Sequence, residues 1–455
     1  MATKRRILSD ETFAEKMDAQ NALLAAIASG KGEGIKVTSW ADVQAIVRMG
    51  LASKAFSVGD QFECEREKTI TVNKGDSTGI TAVNVDELAF VAKMGEAHSG
   101  TYEFTYDGSA WLFNGEPVTL SEYGLTITGT AAANDHIIVV ETTTKIVWDV
   151  IGIDHDTPSD KKFTHSLTLQ MHDCITALQF DAPEALFYAE EELPAGTYNF
   201  TLLAGYDPNY GGGKTYQFTL TKAVPAGGQI TFVWGYNIQA STVKIKTYEN
   251  KTTTTALEEV AVTEGAGGTA LESIRACNHT HRIRYGSNNW AESAIRQWLN
   301  SSAEKGAVWT PKTDYDRPPS WAASEIGFLR GLDPALVAVL GNVKKQTALN
   351  TLTDGGGYVE SDERVFLLSN YEMYSGKRAE EPPYPFWEVN NKTNGADYTE
   401  DASRTKYRNG AATYWWLRFP LTSYAYIVRF VGPSGYVSSH YASDAGGVAP
   451  ACVIV

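Results

Sequence analysis

Two clusters in this chain combine side chains that could do chemistry. Cys277-Asn278-His279-Thr280-His281 sets a thiol and two imidazoles at alternate positions. On a strand the three share one face, and a thiolate with two imidazoles is a set that zinc accepts. A fourth ligand would have to come from distant sequence, from His165, His172 or Asp173, so scaffold packing of Cys277, His279 and His281 is the simpler expectation. Asp154, Asp156 and Asp160 offer oxygens to calcium, but the glycine and closing glutamate of an EF-hand loop are missing. The expectation is therefore no cofactor, with calcium or zinc as the ions these residue types would take. Gly211-Gly212-Gly213-Lys214-Thr215 lacks the full spacing of a phosphate-binding loop and lies between strand patterns, so it reads as a hairpin loop. Carboxylates are plentiful, but nothing in the sequence sets two of them at glycosidase separation. Catalysis is not expected.

The elements that must position any site are mostly strands. The 455 residues exceed what one hydrophobic core organises, which implies two to four domains. Hydrophobic residues at 43% and charged residues at 20% are those of a folded chain. The 23 Tyr, 11 Trp and 40 Gly, with many Thr-Val-Ile alternations, imply strands joined by tight turns. A net charge of -15 without a basic run argues against nucleic acid and against anionic membrane surfaces as partners. No apolar run is long enough for membrane insertion. The basic start, Met1 to Arg6, leads into Ser9-Asp10-Glu11 and not an apolar stretch, so no secretory signal is expected. Four widely spaced cysteines (Cys64, Cys174, Cys277, Cys452) argue against a disulfide framework.

Capping residues and periodicity place the elements. Residues 9–30 read as a helix capped by Ser9 and closed by Gly30, with Phe13, Met17, Leu24 and Ile27 on one seam. Such a helix suits packing on its own domain as well as oligomerisation or docking on a particle. A second helix begins at Ser39, with Asp42 three residues on, and stops at Gly50. Residues 56–62 alternate like a strand. Residues 68–146 are purely β in pattern and suit a small sandwich; a second β block spans 185–262. Asn289 is expected to cap a helix burying Trp290, Ala294, Ile295, Trp298 and Leu299, and Asp333-Pro334 to open another. Residues 376–412 read as a long loop and 446–455 as a terminal core strand. The class is α+β. Its expected order is an N-terminal anchoring segment (1–67), a β module (68–146), the start of a core domain (147–184), a second β module (185–262) and the main C-terminal domain (263–455).

The segment after Tyr414-Trp415-Trp416-Leu417-Arg418-Phe419-Pro420 has an unusual composition. Residues 419–448 contain no Lys, Glu, Gln, Met or Trp, although all five occur elsewhere. The residues present are ones whose codons can end in C, reachable from Asn codons when adenines are replaced, so the gap suggests adenine-directed mutagenesis. Tyrosines offer rigid contact area at low entropic cost, and serines offer adaptable hydrogen bonds. The expected contact surface is Phe419, Leu421, Ser423, Tyr424, Tyr426, Arg429, Phe430, Tyr436, Ser438, Ser439, His440, Tyr441, Ser443 and Asp444, within a variable stretch of about 419–444. Trp415, Trp416 and Arg418 are expected to be scaffold.

Trp415-Trp416-Leu417-Arg418-x-Pro420, the Tyr/Ser-rich run and Gly447-Val448-x-Pro450-Ala451 together resemble the target proteins of diversity-generating retroelements in phages and prophages. Upstream, Trp148-Asp149-Val150-Ile151-Gly152, Tyr285 to Trp290, Ile295 to Asn300 and Phe366-Leu367-Leu368-Ser369 fit the same resemblance, which covers roughly 145–180 and 265–455. It departs at Ala449, where relatives commonly carry Arg, and in having no Asn after Asn409. The resemblance implies a C-type-lectin-like domain of the formylglycine-generating-enzyme type, with the two β modules inserted or appended. The cysteine pair of those enzymes has no counterpart here, since the only late cysteine is Cys452. The function implied is receptor binding: a virion-located host-attachment or tail-fibre protein with a host cell-surface protein or glycan as partner. Phage tail or virion proteins, and further copies in a homo-oligomer such as a trimer, would be its structural partners. The alternatives are a tail-associated glycan hydrolase and a structural phage decoration protein.

Overall fold

A computed structural model of the chain describes residues 5–7, 37–94, 100–202, 212–233, 243–271, 275–276, 281–376, 378–390 and 399–455. The protein is a mixed α+β, sheet-rich molecule, with short helices among many strands in several sheets. Its chain divides into two units, Cys64–Ile146, and Met1–Glu63 with Val147–Val455.

In the smaller unit the alternating sequence folds as the strand period demands. Gly100–Tyr106 pairs with Trp111–Phe113 across the turn at Asp107-Gly108, setting Phe104 opposite Phe113 and Tyr106 opposite Trp111. Ile80–Val85 pairs with Leu125–Gly129. Phe90 of the helix Glu87–Met94 joins Ile80, Phe104, Tyr123, Leu125, Ile137 and Val139 in one buried core. A Gly-x-Ser-x-Gly stretch, Gly75 to Gly79, also lies here. Its Ser77 is a turn residue and not an exposed nucleophile: the buried hydroxyl donates to Asp135 at 2.7 Å and accepts from Ile80 N–H.

In the larger unit the last strand, Ala451–Ile454, lies between Leu167–Met171 and Val365–Phe366 and is antiparallel to both, so Cys452 faces Leu169 on one side and Val365 on the other. Leu167–Met171 also pairs with residues 148–153. Strands from the two ends of this domain therefore share one sheet, and a continuous apolar run suits a strand covered on both faces. Residues 186–283 gather a second core in the same unit, around Phe200, Tyr216, Phe218, Ile230, Phe232 and Ile245.

The helix starting at Ser39 forms as Trp40–Arg48, closed at its N-terminus by a reciprocal bond pair between Ser39 and Asp42, and buries Trp40, Val43, Ile46 and Val47. Trp40 donates to Asp333 at 3.0 Å, and Asp333 itself caps Pro334–Val339. Elsewhere local signals mislead. Residues 56–62 are not one strand: a helix at Ala52–Ala55 and a turn at Gly59, φ +91°, delay the strand to Gln61. Ser293, not Asn289, caps the helix Ala294–Leu299, because Asn289 spends its side chain on Ala291 N–H in the preceding turn. Residues 376–412 include the helix Pro385–Asn390 and a small antiparallel pair, Lys406–Arg408 with Ala411–Thr413. The terminal stretch 446–455 is split at Ala449-Pro450 into two strands belonging to different sheets. The expected helix 9–30 lies outside the described residues. Among the described residues, no helix is long and apolar enough to cross a membrane.

Candidate functional site

The Tyr/Ser-rich segment is carried by a five-stranded sheet. Its strands are β1 (Thr176–Gln179), β2 (Trp415–Pro420), β3 (Ile427–Val431), β4 (Val437–Tyr441) and β5 (Ala445–Val448), in the spatial order β1-β5-β2-β3-β4. The central strand β2 is buried along its whole length. Trp416 reaches across β5 to donate to the Leu178 carbonyl at 2.9 Å. Gly446 permits this, since a Cβ there would come within 2.5 Å of the indole. Trp415 donates to the Arg404 carbonyl.

Arg418 is the ionic centre beneath this sheet. Fully buried, it donates to Glu372, to Glu381 at 2.6 Å and to the carbonyls of Leu367 and Gln346. Lys345 bonds Glu372 at 2.8 Å, Asp156 and the Tyr384 hydroxyl. Burial alone would push the Glu372 carboxyl up, but Arg418 and Lys345 overcome it and hold the group at about 2. Lys345, Thr168 and Tyr384 all bond the carboxylate of Asp156, one of the three considered for calcium.

β3 and β4 form a hairpin with β4 at the open edge of the sheet, pairing Ile427 with Tyr441, Val428 with His440, Arg429 with Ser439 and Phe430 with Ser438. The turn needs Gly435: its φ is +80°, and a Cβ would strike the Asp401 carbonyl. The fourteen contact residues expected from the sequence divide into three groups. Ser423, Tyr424 and His440 are exposed; Leu421, Arg429, Tyr436, Ser438, Ser439, Tyr441, Ser443 and Asp444 are half-buried. Phe419, Tyr426 and Phe430 are buried and belong to the packing instead. Phe419 sits edge-on to Tyr371, and Phe430 lies against Tyr414, whose ring is also stacked on His440. His440 Nδ1 lies 2.6 Å from an Asp444 carboxylate oxygen.

Tyr426 takes part in an aromatic cluster that the composition of 419–444 does not reveal. The short helix α1 (Arg282–Tyr285) presents Tyr285, which stacks on Tyr441 at 4.0 Å and on Tyr426 at 5.1 Å. Tyr424 meets Tyr426 edge-on at 5.7 Å. The Ser443 N–H bonds the Tyr285 carbonyl, fastening α1 to the end of β4. His281, just before α1, has φ +65°, an uncommon conformation for a bulky side chain, and its ring stands perpendicular to Tyr426 at 4.8 Å.

On the other side of α1, Arg282 is buried and donates to the Ala425 carbonyl and to both oxygens of Asp354 at 2.8 Å, with Glu184 at 3.8 Å. Asp181, Asp316 and Glu292 complete a group of five carboxylates interacting electrostatically with one another and with Arg282. Burial and then the Asp316 and Glu184 charges push Asp181 well above the usual carboxylate range. Burial likewise raises Glu292 and Asp316. The Asp181 N–H bonds the Ala442 carbonyl, one residue past β4, so this group adjoins the aromatic cluster. Sequence reasoning missed both Tyr285 and the carboxylates, which are scattered along the chain without a common period.

Of the zinc candidates, Cys277 and His279 lie outside the described residues, and His281 packs on Tyr426 and Tyr285. His165 pairs with Asp154, and His172 with Asp149 at 2.9 Å. Among the described residues, no group of three or more His, Cys, Asp or Glu could hold a metal ion.

Residues 268–455, which contain α1 and strands β2 to β5, match a family described as a domain of unknown function, DUF6273. No curated protein and no solved structure matches the chain. The C-terminal part of this protein is thus similar to a domain family whose activity is itself undefined.

Proposed function

We propose that this protein is a phage or prophage receptor-binding protein, and that the β3–β4 edge of a C-type-lectin-like domain is its ligand-contacting surface. One observation carries the reading: the sealed strand β2 is separated from the open-edge strand β4 by β3 alone. Trp415, Trp416, Leu417 and Arg418 in β2 are fully buried. Ser423 and Tyr424, a few residues on, and His440 in the edge strand β4 are exposed, and most of the remaining Tyr/Ser-rich positions are half-exposed. A surface built to vary needs this separation, because substitutions there leave the ionic and tryptophan scaffold untouched. The pairing of the last strand with Leu167–Met171 supports the lectin-like reading, in which the ends of the domain meet and the intervening chain is displayed.

The test is adhesion to host cells. Tyr424→Ala removes a side chain that is 41% exposed, and it should abolish binding of the purified protein to host cells while changing thermal stability by no more than about 0.5 kcal/mol. A neighbouring reverse transcriptase gene with a near-identical, Asn-coding template repeat would establish the source of variation. Undiminished adhesion by a Tyr424→Ala, His440→Ala double variant would overturn the reading.

A further inference from the structure

We propose that a polar groove beside the helix Ala294–Leu299 binds an acidic saccharide, with the sugar carboxylate held by Arg364 and Lys312. This is a second site, independent of the β3–β4 edge. The groove has a volume of about 510 Å³ and is lined by that helix, the loop after it and residues 362–364. Pockets that take small molecules span about 300–1,000 Å³, so the size suits a short saccharide.

The choice of an anion comes from cations that line this groove without carboxylates of their own. Arg364 is half-buried, and its Nη2 donates to the Val337 carbonyl in the helix Pro334–Val339. That bond steadies the side chain but neutralises nothing, and among the described residues no carboxylate pairs with it. Lys312 is exposed, and its ammonium has no hydrogen-bond or ion-pair partner among them either. Acidic residues outnumber basic ones by 54 to 39, so composition does not force any cation to go without a carboxylate. The other charges of the lining are already matched: Arg296 by Glu363 at 2.8 Å, and Asp362 by Lys344 at 2.9 Å and the Ser159 hydroxyl at 2.7 Å. The net charge of -15 does not cancel the local field, because exposed charges beyond about 8 Å are screened at physiological ionic strength. A guanidinium fork matches a carboxylate in shape and charge.

The remaining lining suits a sugar ring better than a bare anion. Val308 and Leu329 supply apolar surface for a C–H face. The Ser301 hydroxyl accepts from Ala303 N–H at 3.1 Å and keeps its own proton to donate. The exposed Asn342 side chain has no partner among the described residues, which leaves its amide to meet sugar hydroxyls. All of these residues lie outside 419–444, so the groove stays constant while that segment varies.

The experiment is calorimetric titration of the full chain with trigalacturonic acid at pH 7 and fixed ionic strength. The expected result is saturable binding that weakens as salt is raised. Maltotriose, which lacks the carboxylates, should bind at least about tenfold more weakly, the loss of one charge-assisted hydrogen bond. Arg364→Gln should weaken trigalacturonate binding about tenfold for the same reason. Lys312→Gln changes an exposed side chain, so it should weaken binding severalfold with thermal unfolding unchanged, which keeps the test valid if Arg364→Gln fails to fold. No saturable binding, or binding undiminished in Lys312→Gln and in Arg364→Gln, would overturn the proposal. Equal binding of maltotriose would remove the anion from it. Binding of inorganic sulfate or of N-acetyl-triaspartate amide as tight as that of trigalacturonate would overturn the saccharide assignment.

Discussion

Replacing Arg418 by Met tests whether the display sheet depends on its buried ionic centre. The guanidinium is wholly inaccessible and holds two carboxylates, Glu372 and Glu381, besides three further oxygen acceptors on Thr347, Leu367 and Gln346. Methionine fills much of the volume but leaves Glu372 with Lys345 and the Ser369 N–H, and Glu381 with Arg378. Glu372 shows the size of the effect. Its fall from an ordinary 4.5 to about 2 corresponds to roughly 3 kcal/mol of stabilisation at neutral pH. Breaking a buried pair from one side costs about 3–5 kcal/mol, the same range. Guanidinium unfolding at pH 7, followed by tryptophan fluorescence, should therefore show a loss of about 3–5 kcal/mol. The pH dependence supplies a second reading. Because the folded-state value of Glu372 lies below its unfolded value, its contribution is full above pH 4.5 and disappears as pH falls towards 2. Without Arg418 the carboxyl rises, and the acid limb of the stability profile should move to higher pH. A loss below about 1 kcal/mol with an unmoved acid limb would refute the argument.

Two further substitutions separate packing from display. Phe430→Ala, at a position 7% exposed, should cost about 3–5 kcal/mol in the same unfolding assay; a cost like that expected of Tyr424→Ala would place Phe430 on the surface. Gly435→Ala should destabilise the chain by about 2 kcal/mol or more, since it combines a φ of +80° with a clash on the Asp401 carbonyl; differential scanning calorimetry showing an unchanged Tm would rule that out.

Local rules were enough for some of this protein. The Ser39–Asp42 and Asp333–Pro334 helix starts are legible because capping is decided within four residues. Alternating runs such as residues 100–106 announce strands for the same reason. The apolar Trp415-Trp416-Leu417 run marks a buried strand, and Arg418 within it is a charge that must find partners. Which partners it finds is a tertiary matter, because Glu372 and Glu381 approach from 46 and 37 residues away. Asn289 has the right residue type to cap a helix, yet the chain starts that helix at Ser293, where the following residues can bury Ile295, Trp298 and Leu299.

The sequence by itself determined that the chain is strand-rich and acidic and that its last part combines tyrosine and serine with an absence of Lys, Glu, Gln, Met and Trp over 419–448. Period and composition are additive along a chain, so they survive without coordinates. Only the tertiary structure decided which of those side chains face outward. Phe430 turns in because Tyr414 covers it, whereas Tyr424 stays out in the loop between β2 and β3. The fold alone also brought Tyr285 onto Tyr441 and five distant carboxylates around Arg282, since electrostatic and aromatic neighbours depend on distance in space and leave no period in the sequence.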